Sequence, residues 1–254
     1  MDVGNGFKSC PENTPGTKGT RQTLSGECHV PSREEVHRAL ALRHTEELQE
    51  KFEQAKVAIC GLGGLGSNIA ICLARCGIGR LHLIDFDRVD LANLNRQQYR
   101  MDQIGVPKPE ALKEELLQIN PYLNIRTDAV RLTEENIPEL LKDEDYICEA
   151  FDVAEAKAML TNSVLTHFPE KYLVGASGLA GLGDSNSIRT RRILPHYYLC
   201  GDGVSGVETC KTLVAPRVML CAAHQANQIL EIIASADGGK SPLCADAHKR
   251  RSDR

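Results

Sequence analysis

The sequence predicts an α/β protein, a Rossmann-like, doubly wound, mostly parallel sheet with a mixed C-terminal part, in a single domain. Three observations predict it. Short apolar runs alternate with longer amphipathic segments between Lys56 and Ala176, the pattern of a parallel sheet with right-handed crossovers. A G-x-G-x-x-G turn, Gly61, Gly63 and Gly66, stands between the first such run and the segment after it. The chain has 254 residues, 42% hydrophobic and 25% charged, ordinary values for one large globular domain with small appendages.

Residues 1–30 mix Gly, Pro, Thr, Asn and Lys without apolar periodicity, and read as a disordered leader. The domain is expected over residues 31–235. It opens with "PSREEVHRALALRHTEELQEKF" as one helix, Ser32 capping it and Glu35 completing a capping box, with Val36, Leu40, Leu48 and Phe52 on one face. Then come "KVAIC" as a strand, "GSNIAICLARCG" as a helix closed by Gly77, and "RLHLI" as a strand. "PEALKEELLQIN" reads as a helix, "NIRTDAV" as a strand, "TEENIPELLKD" as a helix and "YICEA" as a strand. "VAEAKAMLTNSVLTHF" is a helix and "YLVGA" a strand. Beyond Gly175 the pattern changes. "SGLAGLGDSNS" reads as a loop, "SIRTRRIL" as a strand, "CGDGVSGVETCKTL" as a long loop and "APRVMLCAAHQANQILEIIAS" as a helix. Residues 236–254 read as a flexible basic tail, and no internal repeat is evident.

Composition narrows the function classes. A net charge of −4 gives no electrostatic case for nucleic acid or an anionic membrane as the main partner. No apolar run is long enough to span a bilayer, and the N-terminus lacks the basic-then-apolar order of a signal peptide. Of the ten cysteines, Cys60, Cys72, Cys76, Cys148 and Cys221 sit inside apolar patterns, as reduced core thiols do. There is no CxxC pair, so no zinc is expected. A cytoplasmic, reduced protein is the expectation.

The glycine turn brings backbone N–H groups and a helix N-terminus against phosphate oxygens. Asp85 ends the second strand, where a carboxylate bonds a ribose hydroxyl. To this point NAD and ATP fit equally well. The next stretch, "DFDRVDLANLNRQQY", is too polar for an ordinary connection; it carries Asn93 and Arg96, and Lys108 follows at the start of the next helix. Hydride transfer wants an apolar nicotinamide pocket, whereas cleavage between α- and β-phosphates needs cations on the charge developing on pyrophosphate. Asp152 lies just past a strand's carboxyl end, where a carboxylate can hold Mg²⁺ against a triphosphate or cap the following helix. Asp87 and Asp90 read as loop-ordering carboxylates.

The ordered set "GLGGLGSN", "LIDFDRVDLANLNRQ", "GVPKPEAL", "INPYLNI", "EAFD" and "VAPRV" resembles the ThiF/MoeB-type adenylyltransferases, relatives of the ubiquitin-activating enzymes, from about Pro31 to Ala234. "SREEVHRALALRH" and "YLCGDGV" resemble a short ThiF-like branch linked to thiamine biosynthesis. The resemblance implies adenylylation of the C-terminal glycine of a small ubiquitin-like sulfur-carrier protein with a Gly-Gly tail, ATP being consumed and pyrophosphate released. It implies that Gly64 approaches the phosphates, Asp85 holds the ribose, Asn93, Arg96 and Lys108 contact the triphosphate, and Asp152 takes the magnesium role. It further implies a homodimer to which the last helix contributes, with Ala222, Ala223 and Ala226 allowing close packing. His224, Gln225 and Asn227 need partners there, and from sequence alone a buried helix within the domain accounts for them nearly as well. The departures are that the zinc cysteines are missing and that the N-terminal "RxxRQ" keeps Arg43 but has Glu46 at the second arginine. Cys210, then Cys200, are candidates for a loop cysteine bonded to the carrier, beside an inert loop thiol. The rival readings are molybdopterin-carrier activation, a tRNA-base dehydratase, an NAD-dependent oxidoreductase and a scaffold that has lost the chemistry.

Overall fold

The computed structural model describes residues 30–235; the leader up to residue 29 and the basic tail lie outside the described residues. Seven strands form one sheet: β1 (Lys56–Cys60), β2 (Arg80–Ile84), β3 (Asn124–Asp128), β4 (Tyr146–Glu149), β5 (Tyr172–Ala176), β6 (Arg189–Leu194) and β7 (Tyr197–Gly201). Their order is β3-β2-β1-β4-β5-β7-β6. All neighbours are parallel except β6 and β7, which form an antiparallel pair. This is the predicted sheet, mixed only at its C-terminal edge.

The central strands are apolar on both faces because helices cover both. On one side Val57, Ile59, Leu81, Leu83, Cys148 and Val174 pack under α3 (Gly64–Arg75), α4 (Lys108–Ile119) and α8 (Ala215–Ala234). On the other, Ala58, Cys60, Ile84, Ile147 and Leu173 pack under α5 (Ile137–Leu140) and α6 (Ala154–His167). The pleat sends alternate residues of each strand to opposite cores.

Three expectations are corrected. The N-terminal helix is two, α1 (Arg33–His44) and α2 (Glu46–Gln54), separated at Thr45, whose φ is 108°. Its capping box is present: Ser32 Oγ accepts from the Glu35 amide at 3.2 Å, and Glu35 Oε2 accepts from the Ser32 amide at 2.7 Å. The corner has a reason in sequence. Thr45 Oγ1 accepts from the Leu48 amide at 3.3 Å, and His37 spans the bend between Glu46 and Glu53. Second, α5 covers four residues of the longer helix expected there, Pro138 lacking the N–H that would extend it upstream. Third, Tyr197–Gly201 is a strand where no strand was expected, and Val207–Cys210 is a turn of helix (α7) inside the expected long loop.

Candidate functional site

The glycine turn follows β1 at the carboxyl edge of the sheet, and each glycine has its own reason. Gly61 has φ +92°, and a Cβ there would meet Ala150 O at 2.9 Å. A Cβ on Gly66 would stand 1.8 Å from Gly61 O, so α3 packs directly on the turn. At Gly64 a Cβ would meet Val218 Cγ1 at 2.9 Å and Arg96 Cγ at 3.4 Å. Gly63 differs: the nearest atom is Gln97 Nε2 at 3.7 Å. The protein thus crowds three of these glycines and leaves room for a methyl at Gly63, beside first-turn amides of α3 that have no intrahelical acceptor.

The turn is pinned at Leu62. Its amide donates to Asp85 Oδ2 at 2.6 Å, and its carbonyl accepts from the Tyr99 hydroxyl at 2.7 Å. Asp85 is buried, and its Oδ1 accepts from the Asp87 amide at 2.8 Å. The residue expected to hold ribose therefore also holds the turn. Burial pushes the Tyr99 phenol well above its ordinary range, so it stays a neutral donor. Lys108 opens α4 only 4% exposed, with Nζ 2.9 Å from Asp87 Oδ2 and 4.0 Å from Asp85 Oδ2. Asp87 is thus the partner of Lys108 as well as part of the loop. Asp90 caps the turn after it, accepting from the Ala92 amide.

Arg96 belongs to the same cluster. Asn68 Nδ2, in α3, donates to Gly64 O at 2.6 Å and to Arg96 O at 3.0 Å, and Gln98 Nε2 donates to Asn68 Oδ1 at 2.8 Å. The polar loop is therefore stapled to the first turns of α3, and the Arg96 stem lies over Gly64. The guanidinium donates to Asn93 Oδ1 at 3.1 Å and Asn95 Oδ1 at 3.0 Å. Among the described residues it forms no ion pair. An arginine oriented by two amide oxygens and lacking a carboxylate is a charge left over for a ligand.

Asp152 follows β4, beside the turn, since Ala150 O is the atom that crowds Gly61. It is exposed, and the helix it was set to cap begins with Val153 as the N-cap, without a side-chain bond. The capping alternative is not realised. No three His, Cys, Asp or Glu side chains converge as metal ligands among the described residues, so a cation at Asp152 needs its other ligands from phosphate oxygens and water.

Sequence reasoning missed what fastens the strand ends. Glu149, 2% exposed, takes Lys157 Nζ at 2.9 Å and the Phe151 amide at 2.8 Å, while Lys157 also donates to Ala176 O at 3.0 Å. Arg217 is buried, paired with Asp202 at 2.6 Å, and donates to Ala180 O and Asp184 O at 3.1 Å each. It clamps the predicted loop 177–187 to α8. The apolar spacing of "VAPRV" gave no signal of this; the one available was a lone Arg on a helix otherwise rich in Ala and Ile.

The polar residues of α8 find partners within the chain. Gln225 Nε2 donates to Glu149 O at 2.9 Å, Thr190 Oγ1 lies 3.0 Å from His224 Nδ1, and Asn227 Nδ2 donates to Glu231 Oε1 at 3.0 Å. Ala222 and Ala226 are buried and Ala223 is exposed. Cys200 is corrected as a candidate nucleophile: it is 0% exposed, and burial raises its thiol to about 11. Cys210 is partly exposed on α7, its Sγ 3.7 Å from Thr209 Oγ1. Arg43 is exposed in the last turn of α1 and is not among the residues that the fold gathers at the glycine turn. No helix of the described residues is long and apolar enough to cross a membrane.

Comparison with known proteins gives the family and the fold. The ThiF family matches residues 36–248. A molybdopterin-synthase adenylyltransferase of Haemophilus influenzae is 42% identical over 130 residues, 51% of this chain and 53% of that protein. A sulfur carrier protein adenylyltransferase of Thermus thermophilus is 34% identical over 140 residues, 54% of this chain and 46% of that one. The chain spans about half the length of these curated relatives. The E. coli tRNA N6-threonylcarbamoyladenosine dehydratase, solved with ATP, is similar in fold, with a TM-score of 0.71 over 81% of this chain and 97% of that one at 23% identity. With its ordered motifs, its sheet and its glycine turn in place, the chain belongs to the ThiF family.

Proposed function

We propose that the chain uses ATP to adenylylate the C-terminal glycine of a small ubiquitin-like sulfur-carrier protein, in the thiazole branch of thiamine biosynthesis. The observation that carries the reading is Arg96, a cation held over the glycine turn without an acidic partner among the described residues. The likeness to carrier adenylyltransferases supports the same substrate class.

The carrier's terminal carboxylate is already ionised at neutral pH, so no general base is needed. One of its oxygens attacks the α-phosphorus; the bond from that phosphorus to the β-bridging oxygen breaks, and pyrophosphate leaves with the electron pair. Gly63, Gly64 and the first turn of α3 receive phosphate oxygens, Asp85 the ribose, and Asn93 orients Arg96. Arg96 and Lys108 stabilise the charge gathering on pyrophosphate, and the protein's share of catalysis is positioning and electrostatics. Asp152 would hold magnesium, which neutralises part of the triphosphate charge when bound. Cys210 remains the candidate for a covalent carrier adduct, and Arg43 for a contribution across a homodimer, to be checked by sedimentation at low concentration.

The test is to incubate the chain with ATP, Mg²⁺ and Gly-Gly carriers, then look for pyrophosphate and a carrier heavier by one AMP. Pyrophosphate with an adenylated carrier supports the reading. ATP turnover that adenylylates no carrier but dehydrates a modified tRNA base contradicts it. In Asp152→Ala the magnesium dependence should weaken; an unchanged titration removes Asp152 from the metal role.

A further inference from the structure

A second charged feature lies on the same edge of the sheet. β7 runs parallel to β5, so Gly201 and Asp202 emerge where the glycine turn does, and Arg189 opens β6 opposite Gly201. A cavity of about 380 Å³ opens here, lined by Ser187, Arg189, Arg191, Gly201, Asp202 and Val204. Thr190 faces α8 through His224, so the pleat turns Arg189 and Arg191 to the other face. The Arg191 guanidinium lies against Gly203, where a Cβ would meet Nη2 at 2.8 Å.

The charge on this cavity is cationic. Asp202 lines it, but that carboxylate is spent. Oδ1 accepts from the Val204 and Ser205 amides at 2.8 Å each, and Oδ2 accepts from Ser205 Oγ and from Arg217. Arg189 and Arg191 are exposed and form no ion pair among the described residues. Two like charges are therefore set side by side on an edge strand, facing a cavity large enough for a side chain.

We propose that this cavity reads an acidic residue of the carrier's tail, about six residues ahead of its terminal glycine. The inference rests on the adenylylation reading, and its arithmetic on the sheet. From β1 to β6 there are four strand spacings, about 19 Å at roughly 4.8 Å each. An extended peptide covers about 3.3 Å per residue, so a tail with its carboxylate at the glycine turn passes the arginines about six residues upstream. Charge complementarity there selects partners.

Three fluorescein-labelled peptides ending in Gly-Gly, with Glu, Gln or Lys six residues before the last glycine, test this against the full chain by anisotropy. The wild type should bind the Glu peptide about tenfold more tightly than the Lys peptide, and Arg189→Glu with Arg191→Glu should reverse the order. The melting temperature and ATP affinity of the double variant should match those of the wild type. Equal affinity of the wild type for all three peptides, including none measurable, overturns the proposal, as does an order unchanged in the double variant. Peptide discrimination without pyrophosphate release from any carrier would instead strike the adenylylation reading and leave this site standing.

Discussion

Two arginines reach the carboxyl edge of the sheet and are treated in opposite ways. Near β1, Arg96 is half-buried, oriented by Asn93 and Asn95, and lacks an acidic partner among the described residues. Near β7, Arg217 is 6% exposed and spends its donors on Asp202, Ser187 and two backbone carbonyls. A buried charge that is fully paired holds a fold together; a positioned charge without a counter-charge waits for a ligand. Arg96 keeps its charge free of an acidic partner among the described residues, whereas Arg217 is used up in fastening the loops beside β7.

The comparison breaks most readily by exchanging the consequences. Arg96→Ala should lower carrier-dependent ATP–pyrophosphate exchange by about 10²–10³-fold with its melting temperature close to wild type, and Lys108→Ala by a similar factor but with a lower melting temperature, because Asp85 and Asp87 lose their cation. Wild-type-like exchange in both variants would remove the two cations from the chemistry. Arg217→Met should do the reverse, costing about 3 kcal/mol, because the Asp202 carboxylate loses its counter-charge and the Ala180 and Asp184 carbonyls lose their donor. Urea unfolding measures it, and a loss under about 1 kcal/mol would show the pair to be ornamental.

The glycines sharpen the same contrast. Gly66→Ala drives a methyl into Gly61 O, a backbone atom that cannot give way, and should cost about 4 kcal/mol or more. Gly63→Ala makes only an ordinary contact, with Gln97 Nε2 at 3.7 Å; it should leave stability within about 1 kcal/mol of wild type while weakening ATP binding, read by calorimetry. If both variants lose stability equally, the space over Gly63 is not kept for a ligand.

The smallest effect is a pH dependence. Burial alone would raise the Asp202 pKa, but hydrogen bonds from Ser205 Oγ and the Ser205 and Val204 amides, with the Arg217 charge, lower it from 3.8 to about 2. A depressed carboxyl contributes stability that is complete above the unfolded value and lost as pH falls. The stability gap between wild type and Asp202→Asn should therefore be full at pH 5 and narrow as pH falls from about 3.8 towards 2. A gap independent of pH would mean that Asp202 acts by shape alone.

What was legible in the sequence followed period and proximity. Strands β1, β2 and β5 read correctly because both their faces are buried and "KVAIC", "RLHLI" and "YLVGA" are short, mostly apolar runs, broken inside only by the buried His82. β7 did not, because it lies near the open edge: Tyr198 and Cys200 are buried while Tyr197 and Leu199 are not, and glycine-rich loop follows at once. The glycine turn, Asp85, Asn93, Arg96 and Lys108 could be grouped from sequence because neighbouring motifs carry them, and the structure brings them together. Tyr99, Glu149 and Arg217 were not. Their bonds join residues 37, 27 and up to 37 positions apart, and no local pattern marks such partners. Cys200 misled for a related reason: it sits on β7 between β5 and β6, and its burial comes from partners distant in sequence.

The central claim is that the cations beyond the glycine turn serve a triphosphate. Calorimetric titration of the full chain with magnesium-loaded ATP and, separately, with NAD tests it most directly. The account predicts saturable ATP binding that Arg96→Ala weakens, and no NAD binding of comparable strength. Tight NAD binding without affinity for magnesium-loaded ATP would contradict it.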